Sequence, residues 1–204
     1  MANTATGAAA LLLTVQLEPV VKLSDDEFFE FCRINRELRV ERTAKGELVI
    51  MPPAGGEEGC RGSEINGQLW RWASEDGRGV AFDSSTGFVL PNGAVRAPDA
   101  SWVERTRLAA LAPAERRKFL PLAPDAVIEL RSASDNLRDQ QAKMQEYLAN
   151  GTRLGLLIDS EMRRVHVYRP GAPAEILDAP ASVSGEPVLP GFQLSLQEIW
   201  DLDW

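Results

Sequence analysis

The sequence is poor in the side chains on which many metal sites and nucleophilic triads depend. Its 204 residues include one histidine, His166. Zinc sites of the HExxH type and facial-triad iron sites each need at least two histidines, so both classes are excluded. The two cysteines, Cys32 and Cys60, stand far apart and form no CxxC motif. We therefore expect them to be reduced structural residues rather than zinc ligands or a redox pair.

Long apolar runs are also missing. The stretch over residues 7–15 is apolar, but it is far shorter than the roughly 18 residues that a membrane helix needs. No lysine or arginine precedes it, so it lacks the charged beginning of a signal peptide. These absences predict a cytoplasmic protein with no membrane partner.

Basic residues are outnumbered, with 22 Lys and Arg against 30 Asp and Glu, for a net charge of −8. This balance argues against a protein that coats nucleic acid through a general basic excess. The deficit is uneven along the chain, because residues 96–143 hold nine basic and seven acidic side chains. A weak, salt-sensitive nucleic-acid contact near this segment remains compatible with the composition.

What the sequence does contain is the pattern of a mixed α/β domain. Residues 1–20 are predicted to be a loose arm, and residues 21–204 a single domain. Ser24 and Glu27 fit a capping box at the start of a helix. Later segments predict, in order, a hairpin over 39–51, a helix over about 60–74, strands within 79–103, a short helical segment over 105–119, a strand at 126–130, a helix over 135–150, two strands, and a β region that ends in a short helix at 196–202.

Three charged residues lie where charge is costly. Asp99 follows Pro98 and precedes an apolar run, and Glu129 lies inside the apolar strand AVIEL. Lys143 lies at the edge of the apolar stripe of the 135–150 helix, from which its ammonium can reach a shared pocket. Two carboxylates and a lysine suit Mg²⁺-assisted hydrolysis of a phosphodiester, which requires no histidine.

Each residue also has an ordinary structural interpretation. Asp99 fits a solvated aspartate at the start of a strand. Glu129 fits a strand residue that faces solvent or pairs with Arg131, two positions along the same face. Lys143 fits an exposed i,i+4 ion pair with Asp139. From the residues alone these alternatives stay open.

The order of the motifs resembles a known family. PDASWV is followed by VIELRSAS, by the helical pattern Asp139-x-x-x-Lys143-x-x-x-Tyr147, and by NGTRLGLLID and RRVHVYRPG. This order is similar to the Uma-type restriction-endonuclease-like family of the PD-(D/E)XK nuclease superfamily, over roughly residues 24–200. The resemblance implies a restriction-endonuclease-like fold, a mixed β-sheet flanked by helices, and endonuclease activity on DNA. It also implies Mg²⁺, with Mn²⁺ as a substitute, held by Asp99 and Glu129.

The sequence departs from the superfamily pattern at one position. Arg131 stands where the superfamily's E-x-K element has lysine, and arginine is a poor general base. The resemblance implies that Lys143 takes over this role from the following helix. It also implies that Glu64 is an additional acidic residue near the metal.

Partners follow partly from charge and partly from the fold. The cluster Arg116-Arg117-Lys118, together with Arg131, is the candidate nucleic-acid contact. A homodimer or higher oligomer is expected by analogy, because cutting both strands of a duplex needs two sites, with Trp200 and Trp204 as interface candidates. Two alternatives remain: an inactive nucleic-acid-binding or oligomeric module of the same fold, and a hydrolase of small phosphate compounds.

Overall fold

A mixed, six-stranded sheet forms the centre of the protein in the computed structural model, which describes residues 13–132 and 135–202. In chain order the elements are β1 (Leu13–Val15), α1 (Asp25–Ile34), β2 (Arg39–Arg42), β3 (Leu48–Met51), α2 (Gly56–Asp76), β4 (Gly79–Asp83), β5 (Phe88–Val89), β6 (Val95–Arg96), β7 (Ala100–Glu104), α3 (Arg105–Ala109), a 3-10 helix (Glu115–Arg117), β8 (Ala126–Arg131), α4 (Leu137–Ala149), β9 (Leu154–Asp159), β10 (Arg164–Tyr168), β11 (Glu175–Asp178), β12 (Ser182–Ser184), β13 (Gln193–Ser195) and α5 (Gln197–Trp200).

The N-terminal part forms a separate, smaller sheet with strand order β1-β3-β2-β6-β5. Helix α1 begins with the expected capping box, in which the Ser24 side chain and the Glu27 side chain satisfy each other's backbone N–H groups. The hairpin of β2 and β3 is confirmed. Residues 13–15 of the stretch expected to be a loose arm form β1, which pairs with β3, and residues 1–12 lie outside the described residues.

The central sheet has the strand order β11-β10-β9-β8-β7-β4. Only β8 and β9 pair in parallel among the described strands, and α4 connects them, because a parallel pair requires a crossover between its strands. Every residue of β9 is buried, which is typical of a strand covered on both faces. The predicted mixed sheet flanked by helices is thus confirmed.

Alternating side chains divide the core between the two faces of this sheet. On one face, Ile128 and Leu156 pack with Ile65 and Leu69 of α2 and with the C-terminal segment. On the other face, residues of β8 and β9 pack with Met144 and Tyr147 of α4. Since side chains alternate along a strand, Glu129 faces α4 while its neighbour Ile128 faces α2.

Several details differ from the sequence-based expectation. Helix α2 begins at Gly56 instead of near Cys60, because packing of its apolar face on the sheet outweighs the low helix propensity of its glycines. The 105–119 segment contains two short helices rather than one. Trp200, an interface candidate, is a buried core residue whose indole N–H donates to the Pro180 carbonyl, and Trp204 lies outside the described residues. None of the described helices has the length and apolarity needed to cross a bilayer.

Candidate active site

Asp99, Glu129 and Lys143 lie together in a cleft of about 1560 Å³. Strand β7 begins immediately after Asp99, and the antiparallel strand β8 ends just beyond Glu129. Their pairing therefore brings the two carboxylates to the same end of these neighbouring strands. Asp99 Oδ2 accepts a hydrogen bond of 2.9 Å from the backbone N–H of Leu130. Its Oδ1 lies 3.2 Å from Nη2 of Arg39, which also lines the cleft.

Glu129 is buried against α4 and has two side-chain partners there. Its Oε1 lies 2.9 Å from Lys143 Nζ and accepts a hydrogen bond of 2.9 Å from the Tyr147 hydroxyl. Lys143 and Tyr147 are four residues apart and therefore share one face of α4. The D-x-x-x-K-x-x-x-Y pattern thus places an ammonium and a phenol over the same carboxylate.

Glu41 is a member of this site that the sequence analysis missed. It is buried in β2, and its Oε1 accepts hydrogen bonds from Lys143 Nζ at 3.0 Å and from the Ala97 N–H at 2.9 Å. Its Oε2 lies 3.1 Å from Nη1 of Arg96, which also contacts Glu146 at 2.7 Å. In the sequence, Glu41 stands in a charged hairpin strand that resembles a solvent-exposed edge, so no local signal marked it.

Lys143 therefore bridges two buried carboxylates that differ in their remaining partners. Burial raises the pKa of Glu41, but the charges of Lys143 and Arg96, with the hydrogen bonds that Glu41 accepts, lower it by more than burial raises it. The pKa of Glu41 is therefore below its usual range. Burial is the largest effect on Glu129 and raises its pKa to about 7. The Lys143 charge lowers this pKa, but the nearby Asp99 and Glu41 charges raise it again. Burial would lower the pKa of Lys143, but Glu129 and Glu41 raise it, so the ammonium keeps its proton.

These contacts bear on the structural alternatives for Lys143 and Glu129. Among the described residues, Lys143 forms ion pairs with Glu41 and Glu129 rather than with Asp139. Glu129 pairs with Lys143 rather than with Arg131, whose Nη1 lies 2.9 Å from Asp159 Oδ2. The ion pairs expected for an exposed Lys143 and for Glu129 with Arg131 are thus replaced by contacts inside the cleft.

The other predicted site residues lie elsewhere. The Glu64 carboxylate accepts a hydrogen bond from Gln68 Nε2, which also donates to the Ser195 carbonyl, and Glu64 does not line the cleft in the described structure. Arg116 donates to the Leu111 and Ala109 carbonyls, and Lys118 pairs with Asp26 of α1. The cluster Arg116-Arg117-Lys118 and Arg131 are likewise absent from the described lining of the cleft.

The charge around the site is the opposite of that expected from residues 96–143. Among the described residues, eleven acidic and four basic side chains line the cleft. Of the described cations in that slightly basic segment, Arg96 and Lys143 alone reach the cleft. Seven acidic residues from other segments also line the cleft, namely Glu41, Glu47, Glu57, Glu58, Asp83, Glu146 and Glu161.

The side chains present fit a hard, oxygen-ligated cation. No group of three or more His, Cys, Asp or Glu side chains that could hold a metal ion occurs within residues 13–132 and 135–202. Asp99 and Glu129 line the same cleft and are the two carboxylates that would hold such an ion. This donor set suits Mg²⁺, which commonly uses one or two carboxylates and retains several waters.

Comparisons with known proteins bear on the family and the fold of the chain. No curated protein matches the chain. A solved structure described as a putative nuclease belonging to DUF820, from Anabaena variabilis ATCC 29413, is similar with a TM-score of 0.71 and 22% identity, covering 87% of this chain and 97% of that one. At this identity the likeness shows the fold. The Uma2 family, described as "Putative restriction endonuclease", matches residues 25–197, and the chain therefore belongs to the Uma2 family.

Proposed function

We propose that this protein is a Mg²⁺-dependent nuclease that hydrolyses DNA phosphodiester bonds in the cleft around Asp99. The observation that carries the proposal is the convergence of Asp99, Glu129 and Lys143, which come from three different segments of the chain. Membership of a family described as restriction endonucleases supports the same activity.

The side chains divide the work according to their charge and contacts. Asp99 and Glu129 would hold Mg²⁺, which, when bound, supplies the Lewis acidity that activates water and stabilises charge on the phosphate oxygens. Because Lys143 stays protonated between Glu129 and Glu41, it serves as a fixed positive charge and hydrogen-bond donor instead of a general base. Tyr147 donates to Glu129 and orients that carboxylate.

The acidic lining of the cleft supports a second candidate substrate. A long duplex carries regularly spaced phosphates that acidic walls repel, whereas a small phosphate ester meets only the metal and nearby cations. A hydrolase of small phosphate compounds is therefore the alternative that this charge pattern favours. Assays with plasmid DNA and with bis(p-nitrophenyl) phosphate distinguish the two substrate classes.

The decisive experiment measures plasmid cleavage in Mg²⁺ or Mn²⁺ by the wild type, Asp99→Asn and Lys143→Ala. We expect both variants to lose at least about a hundredfold in rate, as is typical when a metal ligand or a charge-stabilising group is removed. Asp139→Asn is the matched control, because Asp139 is an exposed acid that lines the same cleft. Melting curves show whether each variant is folded.

Activity that persists in folded Asp99→Asn and Lys143→Ala would contradict the assignment. Calorimetric titration with Mn²⁺ separates the nuclease from the inactive alternative. Failure of the wild type to bind Mn²⁺ at millimolar concentration, together with absent cleavage, favours a nucleic-acid-binding or oligomeric module of the same fold. A dimer with two sites remains part of the proposal, and light scattering tests it.

A further inference from the structure

Arg39 is a second cation beside the proposed metal ligands, and its setting differs from that of Lys143. It is the first residue of β2, and its Nη2 lies 3.2 Å from Asp99 Oδ1. Its side chain is 38% exposed, whereas that of Lys143 is 15% exposed. The Arg39 Nε is buried and has no hydrogen-bond partner among the described residues. The guanidinium thus keeps an unused donor beside Asp99.

The other cations of the cleft are held more firmly. Lys143 lies between Glu41 and Glu129, and Arg96 lies between Glu41 and Glu146. Arg61 donates to the Ile199 carbonyl and pairs with Glu57. Arg39 has one carboxylate partner, in a partly solvated pair of the kind that contributes little to stability. Of the four described cations lining the cleft, Arg39 is therefore the one that can change partners at low cost.

We propose that Arg39 is an exchangeable cation and a catalytic residue of the proposed reaction. In the metal-free protein it neutralises Asp99, and when Asp99 takes a divalent cation it releases this carboxylate and contacts the phosphodiester of the substrate. The inference rests on the proposed function. It follows because a divalent cation and a guanidinium compete for Asp99 and repel each other. The planar fork of arginine also matches two phosphate oxygens better than lysine does.

Competition at Asp99 predicts opposite effects on metal binding and catalysis. Because Arg39→Gln removes the competing cation, we expect Mn²⁺ to bind about three- to tenfold more tightly, measured by calorimetric titration. Because the phosphate contact is lost, we expect plasmid cleavage to fall about a hundredfold. A residue that only supports the fold would weaken both properties together.

Two further variants sharpen the experiment. Arg39→Lys keeps the charge but loses the fork, so we expect Mn²⁺ affinity near that of the wild type with cleavage still reduced at least about tenfold. Arg36→Gln is the matched control for the loss of one positive charge, because Arg36 is exposed, lies outside the described lining of the cleft and donates to the Arg33 carbonyl. It should leave both measurements unchanged.

The outcomes separate this inference from the proposed function. If the wild type cleaves DNA, Asp99→Asn abolishes cleavage and Arg39→Gln cleaves normally, the role of Arg39 is wrong and the nuclease assignment stands. If Arg39→Gln and Arg39→Lys both weaken Mn²⁺ binding, Arg39 supports the site and does not compete for Asp99, which also overturns the inference. If the wild type neither binds Mn²⁺ nor cleaves DNA, both proposals fail.

Discussion

Among the described residues, the Tyr147 hydroxyl forms one hydrogen bond in the site, to Glu129. It is fully buried and donates to Glu129 Oε1, and burial, together with the nearby Glu129 charge, raises its pKa well above its usual value, so the phenol stays protonated. Tyr147→Phe removes this donor and leaves Lys143 as the side-chain partner of Glu129 among the described residues. We expect the free energy of unfolding to fall by about 1–3 kcal/mol, measured by urea denaturation.

Tyr168→Phe is the control for this substitution. Tyr168 is also buried, and it packs in the same core cluster, but its hydroxyl has no hydrogen-bond partner among the described residues. We expect a change within about 0.5 kcal/mol for Tyr168→Phe. Equal losses in the two variants would mean that the bond between Tyr147 and Glu129 adds nothing beyond packing.

Glu129 should make the stability of the metal-free protein depend on pH. Its pKa is about 7 in the folded protein and near the ordinary 4.5 when unfolded, so between these values the folded state holds a proton that the unfolded state releases. Its contribution to stability therefore falls as pH rises from about 4.5 to 7 and then levels off. Glu129→Gln lacks this dependence, and urea denaturation in EDTA at pH 5 and pH 8 compares it with the wild type.

We expect the stability of the wild type relative to Glu129→Gln to fall by on the order of 1–3 kcal/mol between pH 5 and pH 8. Glu41→Gln is the contrasting variant, because the lowered pKa of Glu41 contributes stability above about pH 4.5 and loses it at lower pH. A difference between the wild type and Glu129→Gln that stays constant or grows with pH would contradict the assignment of the raised pKa to Glu129.

At the scale of single elements, α2 keeps glycines that the fold does not require. Gly67 lies within this helix, and a Cβ built there meets no atom within 4 Å. Gly67→Ala should therefore raise the free energy of unfolding by about 0.5–1 kcal/mol, because alanine has the higher helix propensity. Thermal melting and urea denaturation measure the change.

Gly79 supplies the opposite case for the same chemical change. A Cβ on Gly79 would lie 2.2 Å from the Trp102 indole, and this ring is buried in the core. Gly79→Ala should destabilise the protein by about 1–3 kcal/mol through overpacking. If both alanine variants shift stability in the same direction, local space does not decide the effect of these glycines.

Elements with local signals were predictable from the sequence, whereas elements that depend on packing were not. The capping box of Ser24 and Glu27 needs only four residues, and it marked the start of α1 correctly. The first turn of α2 follows a proline- and glycine-rich segment whose local chemistry favours a turn, and contacts of Ile65 and Leu69 with the distant sheet stabilise the helix instead. Glu41 depends on Lys143, 102 residues later, so its role appears only in the fold.

The distribution of charge over the whole molecule was likewise not predictable from local sequence. Counting charges along residues 96–143 predicted a slightly basic surface, but the sheet brings acidic residues of distant segments into the cleft. The grouping of Asp99, Glu129 and Lys143 in one cleft was nevertheless predictable, because each combines an unusual local environment with a motif order typical of the family. Surface placement has no such signal, since an exposed arginine fits either a nucleic-acid contact or a solvated helix end.

The cluster Arg116-Arg117-Lys118 tests where the substrate lies on the molecule. Arg116 donates to backbone carbonyls of its own segment, Lys118 pairs with Asp26 of α1, and none of the three residues lines the cleft in the described structure. If substrate is held through the cleft, replacing all three by glutamine should leave plasmid cleavage within about twofold of the wild type. The salt dependence of DNA binding in Ca²⁺, measured by fluorescence anisotropy, should keep its slope, because no phosphate contact is lost. A slope reduced by about two or three, with cleavage lowered at least about tenfold, would instead extend the DNA path from the cleft across the 3-10 helix.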